Sequence, residues 1–250
     1  MSLFDAHVHI IDPRFPLVAN NGYLPPAFTV ADYRARIAGL GITRGAVVSG
    51  SFQAFDQDYL IAALAELGPG YVGVTNLAPD ADDAKIARLH NAGVRAARFN
   101  LKRGGSQGMD AIEQVARRVH DVAGWHVELY ADAADLADHV AVLGTLPLVS
   151  IDHLGLSAQG LPVLLKLVEA GVRVKATGFG RVALDPAAAM RAIAAVNPDA
   201  LMFGTDLPST RARRPFEDGD IDIVREALGD DLAARALDDN AVAFYRLAPS

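Results

Sequence analysis

The chain has 250 residues, of which 51% are hydrophobic, and this is enough to bury one large core in a single domain over residues 1–250. Its formal net charge of −7 argues against general binding to nucleic acids or anionic membranes, and the absence of cysteine excludes disulfides and thiolate metal sites. Because the sequence has neither an N-terminal signal pattern nor an apolar run of membrane-spanning length, we expect a cytoplasmic protein. The sequence leaves the oligomeric state open, with a homo-oligomer as one alternative.

Short apolar runs rich in β-branched residues alternate with amphipathic helical patterns along the whole chain. Eight runs predict strands over residues 3–10, 45–49, 71–77, 94–100, 125–131, 148–153, 173–177 and 201–205. The segments between them predict helices over residues 31–40, 58–67, 82–91, 111–122, 135–143, 161–170 and 186–196. Two further helices are predicted after the eighth strand, over residues 221–228 and 231–245.

Eight strand–helix units in this order predict a (β/α)8 TIM barrel, with some distortion and an extra C-terminal helix. A doubly wound sheet is the alternative, but it would not naturally contain eight units of such even length. We find no linker, low-complexity tract or second domain in the sequence. In a TIM barrel the active site lies at the C-terminal ends of the strands, so the position of a polar residue within its run indicates whether it belongs to the site.

The first predicted strand contains two histidines in the order Asp5-Ala6-His7-Val8-His9. Side chains alternate between the two faces of a strand, so His7 and His9 point the same way, about 7 Å apart. Two imidazoles at a strand end can bind a metal ion or exchange hydrogen bonds with a substrate oxygen. An isolated pair is equally compatible with two histidines buried in a core, so the rest of the chain has to decide between these interpretations.

Polar residues also stand at the ends of the other predicted strands. His153 ends the sixth strand and Asp206 ends the eighth. The other strand-end residues are Ser51, Arg98, Asn100, Tyr130 and Arg181. Since these ends meet at one mouth of a barrel, the pattern predicts the active site of an enzyme.

The basic residues near strand ends are informative because the chain is acidic overall. Arg98 lies inside the fourth strand, Arg103 follows it, and Arg181 follows the seventh. Guanidinium groups bind carboxylates through two parallel hydrogen bonds, so these arginines predict a small anionic substrate, such as a dicarboxylate. The arginines at positions 211, 213 and 214 are expected instead in a solvated loop, paired with acidic residues.

Strand parity assigns the remaining polar residues to faces. Asp152 has the opposite parity to His153 and is predicted to face the helices in a structural role. His126 comes early in the fifth strand and is predicted to lie in a lower layer of the barrel. Glu128 shares its face, and is predicted either to reach the pocket or to form hydrogen bonds within the barrel.

Three motifs, DAHVH at residues 5–9, DHLG at 152–155 and GTDLP at 204–208, together resemble the amidohydrolase superfamily. Within it they are most similar to the amidohydrolase-related type 2 branch that contains 2-pyrone-4,6-dicarboxylate lactonases. Residues 93–100, 124–130 and 174–181 extend the resemblance over nearly the whole length. It implies a distorted TIM barrel that hydrolyses a carboxylated lactone, either similar to 2-pyrone-4,6-dicarboxylate or derived from a sugar acid.

The resemblance also implies roles for individual residues. In this branch the aspartate of the eighth strand is the general base on the attacking water, which is Asp206 here. His7, His9 and His153 would polarise the lactone carbonyl. The implied carboxylate-binding residues are Arg98, Arg103 and Arg181, and the further pocket contacts are Tyr23, Ser51 and Tyr130.

The metal requirement stays open at this point. Many members of the superfamily bind a divalent metal ion, and His7, His9, His153 and Asp206 would suit one zinc ion. However, Tyr130 ends the fifth strand where such members carry a histidine, and no lysine or acidic residue ends the fourth strand to bridge two metals. The lactonase branch that the chain resembles works without a required metal, and this resemblance implies catalysis without a required cofactor. One Zn²⁺ or a similar divalent ion is the alternative.

Hydrolysis of a carboxylated lactone is the favoured function. A zinc-dependent decarboxylase, or another hydrolase of the same superfamily, is the first alternative. A catalytically silent barrel that only binds an anion is the second. This second alternative stays open because Leu207-Pro208-Ser209 stands where the family pattern is Trp-Pro-His.

Overall fold

The computed structural model describes residues 2–78, 80–102 and 108–247. Eight parallel strands form one sheet in the order of the chain: β1 (Leu3–Val8), β2 (Ile42–Val48), β3 (Tyr71–Asn76), β4 (Val94–Asn100), β5 (His126–Tyr130), β6 (Val149–Ile151), β7 (Arg173–Ala176) and β8 (Leu201–Phe203). The helices are α1 (Val30–Arg36), α2 (Asp58–Leu67), α3 (Asp83–Asn91), α4 (Met109–Ala123), α5 (Val140–Leu143), α6 (Leu161–Glu169), α7 (Pro186–Val196), α8 (Gly219–Ala234) and α9 (Asn240–Tyr245). This arrangement is a TIM barrel with an extra C-terminal helix, which confirms the predicted fold.

Two of the helical predictions needed adjustment. The fifth helix is for the most part a 3₁₀ segment, Ala133–His139, and only the short α5 that follows is α-helical. The two predicted helices after β8 correspond to α8 and to the helical turns that continue into α9. Gly229 interrupts α8 with a positive φ of 71°, close to the predicted break between residues 228 and 231.

The apolar core has two parts, one on each side of the sheet. The larger part lies between strands and helices and contains the fully buried Trp125. The smaller part fills the lower barrel, where Phe4 of β1 stacks on Tyr245 of α9 with ring centroids 5.4 Å apart. Helix α9 therefore covers the bottom of the barrel, at the end opposite to the C-terminal ends of the strands.

The barrel closes between β1 and β8, and we call this junction the seam. Two backbone bonds cross it, from the amide of His9 to the carbonyl of Leu207 and from the amide of Asp206 to the carbonyl of His7, both 2.7 Å. The Asp5 carboxylate adds side-chain bonds, accepting from the amide and the hydroxyl of Thr205 at 2.8 and 2.7 Å. The seam thus places the first strand's histidines beside Asp206. No helix within the described ranges is long and apolar enough to cross a membrane.

Candidate active site

A pocket lies at the C-terminal ends of the strands. Its wall contains eight of the ten predicted site residues: His9, Tyr23, Ser51, Arg98, Tyr130, His153, Arg181 and Asp206. His7 lies directly beneath, fully buried. Arg103, the tenth, lies outside the described residues. Asn100, Thr210 and Arg211 also line the wall.

His7 and His9 both point into the barrel, as their spacing predicted. The pairing of β1 with β2 shifts between Asp5 and Val8, so inward side chains change from the even to the odd positions of the strand. The two rings meet edge to face with centroids 5.0 Å apart. His9 Nδ1 lies 2.7 Å from the carbonyl oxygen of Val48, which accepts from a protonated Nδ1 and leaves Nε2 facing the pocket.

His153 and Asp206 reach the pocket through an unusual backbone conformation. Their φ angles are +52° and +60°, in the left-handed region that non-glycine residues rarely adopt. Such strained residues cluster at functional sites, where the surrounding structure holds them. The centroid of the His153 ring consequently lies 4.9 Å from the ring centroid of His7 and 5.2 Å from that of Tyr130.

Asp206 has one engaged and one available carboxylate oxygen. Oδ2 accepts from Arg181 Nε at 2.8 Å and also from the terminal NH2 of the same guanidinium. Oδ1 has no hydrogen-bond partner in the part of the chain that the structure describes. It lies 3.9 Å from Nε2 of both His7 and His9, so three acceptor or donor atoms converge on one point.

Asp152 belongs to this site, and the prediction that it faces the helices was wrong. Its Oδ2 accepts from Arg98 at 2.9 and 3.3 Å, and its Oδ1 lies 3.5 Å from His7 Nδ1. Strand β6 already ends at Ile151, so alternation no longer relates Asp152 to His153. Asp152 continues the inward face of Ser150, whose partner in β5 is the inward Glu128.

Burial and neighbouring cations determine the charges here. Burial lowers the pKa of His7, and it lowers the pKa of His9 and His153 well below the usual range. Burial alone would raise the pKa of Asp152, but His7, Arg98 and Lys175 together hold it well below its usual range. At neutral pH the site therefore contains neutral imidazoles and ionised Asp152.

A second polar layer lies beneath the pocket. Glu128 is fully buried, and its Oε2 accepts from Lys175 Nζ at 2.5 Å. Its Oε1 accepts from the Tyr245 hydroxyl at 2.5 Å and lies 2.9 Å from His126 Nε2. Glu128 thus forms hydrogen bonds within the barrel, and His126 occupies the lower layer as predicted. Lys175 was not predicted: alternation with the outward Val174 and Ala176 turns it inward, but its partner Glu128 comes from another strand.

This layer predicts a pH dependence of stability. Burial raises the pKa of Glu128, but Lys175 and His126 outweigh it and lower the pKa from 4.5 to about 2. A depressed pKa stabilises the fold above pH 4.5, and that contribution is lost as the pH falls towards 2. Between pH 5 and pH 2, the free energy of unfolding of wild type, measured with urea, should fall by roughly 3 kcal/mol more than that of Glu128→Gln. Glu113→Gln, on the exposed face of α4, serves as the control, and its free energy of unfolding should differ from that of wild type by the same amount at every pH. If the difference between wild type and Glu128→Gln also stayed constant over this pH range, the expectation would be contradicted.

Arg211 corrects the prediction of a fully solvated loop after β8. Its guanidinium lies 4.4 Å from the ring centroid of Tyr23 and donates to the carbonyl oxygen of Asn20, at the pocket mouth. Arg214 behaves as predicted, since it pairs with Asp220 at 2.7 Å. The difference arises because Arg211 has a φ of +59°, a local feature that sequence pattern does not indicate.

The donor atoms of the site suit a divalent metal ion. Two groups, His7 with His9 and Asp206, and His7 with Asp152 and His153, each place their ligand atoms within 4.8 Å of one another. Imidazoles and carboxylates are zinc ligands, and a bound ion would lower the pKa of a coordinated water. The ion pairs of Arg181 with Asp206 and of Arg98 with Asp152 already place a cation beside each carboxylate.

Comparisons with known proteins identify relatives of this chain. A family model described as Amidohydrolase matches residues 4–247. A 2-pyrone-4,6-dicarboxylate hydrolase of Comamonas testosteroni is 31% identical over 156 residues, which are 60% of this chain and about half (51%) of that protein. A D-galactarolactone isomerase of Agrobacterium fabrum is 29% identical over 98% of this chain and 91% of its own length. An apo crystal structure of an Agrobacterium tumefaciens protein has a TM-score of 0.85 at 26% identity, covering 100% of this chain and 97% of that one.

Proposed function

Because the chain belongs to the amidohydrolase family, we propose that it hydrolyses a carboxylated lactone with Asp206 as the general base. The observation that carries the proposal is the convergence of Asp206 Oδ1 with Nε2 of His7 and His9, each 3.9 Å away, at the floor of a pocket lined by arginines. A carboxylate oxygen that lacks a hydrogen-bond partner among the described residues is suited to take a proton from water.

The reaction follows from these positions. Asp206 takes a proton from a water molecule as its oxygen attacks the lactone carbonyl carbon. The carbonyl oxygen becomes an oxyanion, which N–H groups of the neighbouring arginines stabilise. The ring C–O bond then breaks, its electron pair moves to the leaving oxygen, and Asp206 returns the proton to that oxygen. The product is the ring-opened hydroxy acid, or its keto tautomer where the leaving oxygen is enolic.

The substrate is proposed to carry at least one carboxylate. Arg98, Arg181 and Arg211 line the pocket, whereas the chain as a whole has a net charge of −7. Guanidinium groups favour planar anions such as carboxylates. The hydrolase from C. testosteroni is named for a dicarboxylated lactone, which fits this chemical class.

The function is tested with a panel of carboxylated lactones, including 2-pyrone-4,6-dicarboxylate and galactarolactones. Ring opening is followed by absorbance, and incorporation of oxygen from H₂¹⁸O by mass spectrometry. Hydrolysis is expected to place one ¹⁸O atom in the new carboxylate. Saturable binding without any product would favour the silent barrel instead, and release of carbon dioxide would favour the decarboxylase.

Lactone isomerisation is the second candidate, because the isomerase from A. fabrum matches 98% of this chain. In that reaction a hydroxyl of the substrate, and not water, attacks the carbonyl carbon. The same base can take its proton, and the same groups can stabilise the oxyanion. An isomeric lactone without ¹⁸O would identify this outcome in the same assay.

Catalysis is proposed to need no metal ion. The guanidinium groups on Asp152 and Asp206 supply positive charge where a divalent ion would otherwise supply it. Protein stripped with a chelator, its metal content checked by mass spectrometry, is expected to keep most of its activity. Activity that appears only after zinc is added would make His7, His9 and Asp206 metal ligands, and would reopen the decarboxylase alternative.

A further inference from the structure

The Glu128–Lys175 pair is an unusual component of a barrel interior. Both side chains are fully buried, and the carboxylate and ammonium groups are 2.5 Å apart. A buried ion pair is on average no more stabilising than apolar side chains of similar volume. The packing of the lower barrel therefore does not by itself explain two charges at this position.

The pair is connected to the site through Asp152. Lys175 Nζ lies 3.9 Å from Asp152 Oδ1, the same oxygen that lies 3.5 Å from His7 Nδ1. Both hydrogen bonds that Arg98 donates to this carboxylate go to the other oxygen, Oδ2. Arg98 consequently fixes only one oxygen of this carboxylate, and Lys175 is the cation that faces the second.

We propose that Lys175 is a positioning residue for His7. Its ammonium, held from below by Glu128, attracts Asp152 Oδ1 and keeps that oxygen opposite His7 Nδ1. The negative charge of the carboxylate at 3.5 Å then favours the tautomer of His7 that carries its proton on Nδ1, and the unprotonated Nε2 presents its lone pair towards Asp206 Oδ1. The attacking water of the proposed reaction can donate to both atoms, so the tautomer of His7 helps to orient it.

The tautomer can be measured without any substrate. Side-chain ¹⁵N chemical shifts distinguish protonated from unprotonated imidazole nitrogens, and the chain has only seven histidines. The His7 signals are assigned with His7→Gln. In wild type we expect a protonated Nδ1 and an unprotonated Nε2.

The test variant is Glu128→Gln/Lys175→Met, which removes both charges so that neither is left buried without its partner. The glutamine oxygen still accepts from Tyr245. We expect His7 to change to a mixture of tautomers, and kcat to fall about 10–100-fold with KM within about threefold, as for residues that orient a catalytic group. Lys166→Met, on the exposed face of α6, serves as the matched control and should change neither quantity.

A second variant covers the case in which the double variant does not fold. The chain contains no cysteine, so Lys175→Cys can be alkylated selectively with 2-bromoethylamine in urea and refolded, which restores an ammonium at this position. We expect the alkylated protein to recover the wild-type His7 spectrum, and the unmodified variant not to.

A folded double variant with an unchanged His7 tautomer and unchanged kcat would overturn the proposal. The measurement of kcat and KM rests on the proposed lactone hydrolysis, whereas the measurement of the His7 ¹⁵N chemical shifts does not. Absence of turnover in wild type with the expected spectra would therefore reject only the proposed function, and turnover with the other tautomer would reject only the role of Lys175.

Discussion

Replacing Asp206 with asparagine is expected to lower kcat about 10³–10⁴-fold, which is the upper range for removal of a general base. An amide cannot take a proton from water, yet its oxygen can still accept from Arg181, which now donates to Oδ2. Binding of an unreactive analogue, such as benzene-1,3-dicarboxylate, should change little. Steady-state kinetics and calorimetric titration of the same preparation measure both quantities.

Asp238→Asn provides the matched control for this variant. Asp238 also pairs with an arginine, Arg44, at 2.5 Å, but it lies away from the pocket. Its replacement should affect stability and leave kcat unchanged. If Asp206→Asn abolished binding but left turnover of bound substrate intact, Asp206 would be a binding residue and the proposed mechanism would be wrong.

Replacing Asp5 with alanine is expected to lower the free energy of unfolding by about 4 kcal/mol, because several buried donors lose their acceptor. These donors are the amides of His7 and Thr205 and the hydroxyls of Thr205 and Tyr33, at 2.7–3.2 Å. That loss is a large share of the stability of an ordinary domain. Urea unfolding followed by circular dichroism measures it.

Two milder variants show whether the effect comes from this carboxylate. Burial raises the pKa of Asp5 to about 6, so the folded state tolerates its neutral form, and Asp5→Asn should cost only about half as much as alanine. Tyr33→Phe removes one of the donors and should cost about 1 kcal/mol. An alanine variant no less stable than Tyr33→Phe would show that other contacts hold the seam.

Much of the site could be predicted because parallel strands end at one mouth of a barrel. Position within each apolar run was sufficient to place His9, Arg98, His153 and Asp206 together. No knowledge of side-chain geometry was needed for that, because the fold itself brings strand ends together. The roles of these residues remain predictions.

Other parts of the site depend on features that the alternation of apolar and polar residues in the sequence does not encode. The misplacement of Asp152 arose because alternation was extended past the end of a strand only three residues long. The inward parity of Ser150, which pairs with Glu128, would have corrected it. Lys175 could not be assigned, since burial of a lysine depends on a carboxylate from another strand. Arg211 contacts Asn20, 191 positions away, through a loop with left-handed residues.

The seam also constrains the order in which the molecule can assemble. Asp5 and Thr205 are separated by 200 positions, and Asp206 meets His7 and His9 only when the two ends of the sheet join. Closing so long a loop is entropically unfavourable until the intervening strands have paired. A chain still emerging from the ribosome therefore carries His7 and His9 long before it contains Asp206, the proposed base. Recovery of turnover during refolding would report closure of the barrel, and not the earlier formation of its helices.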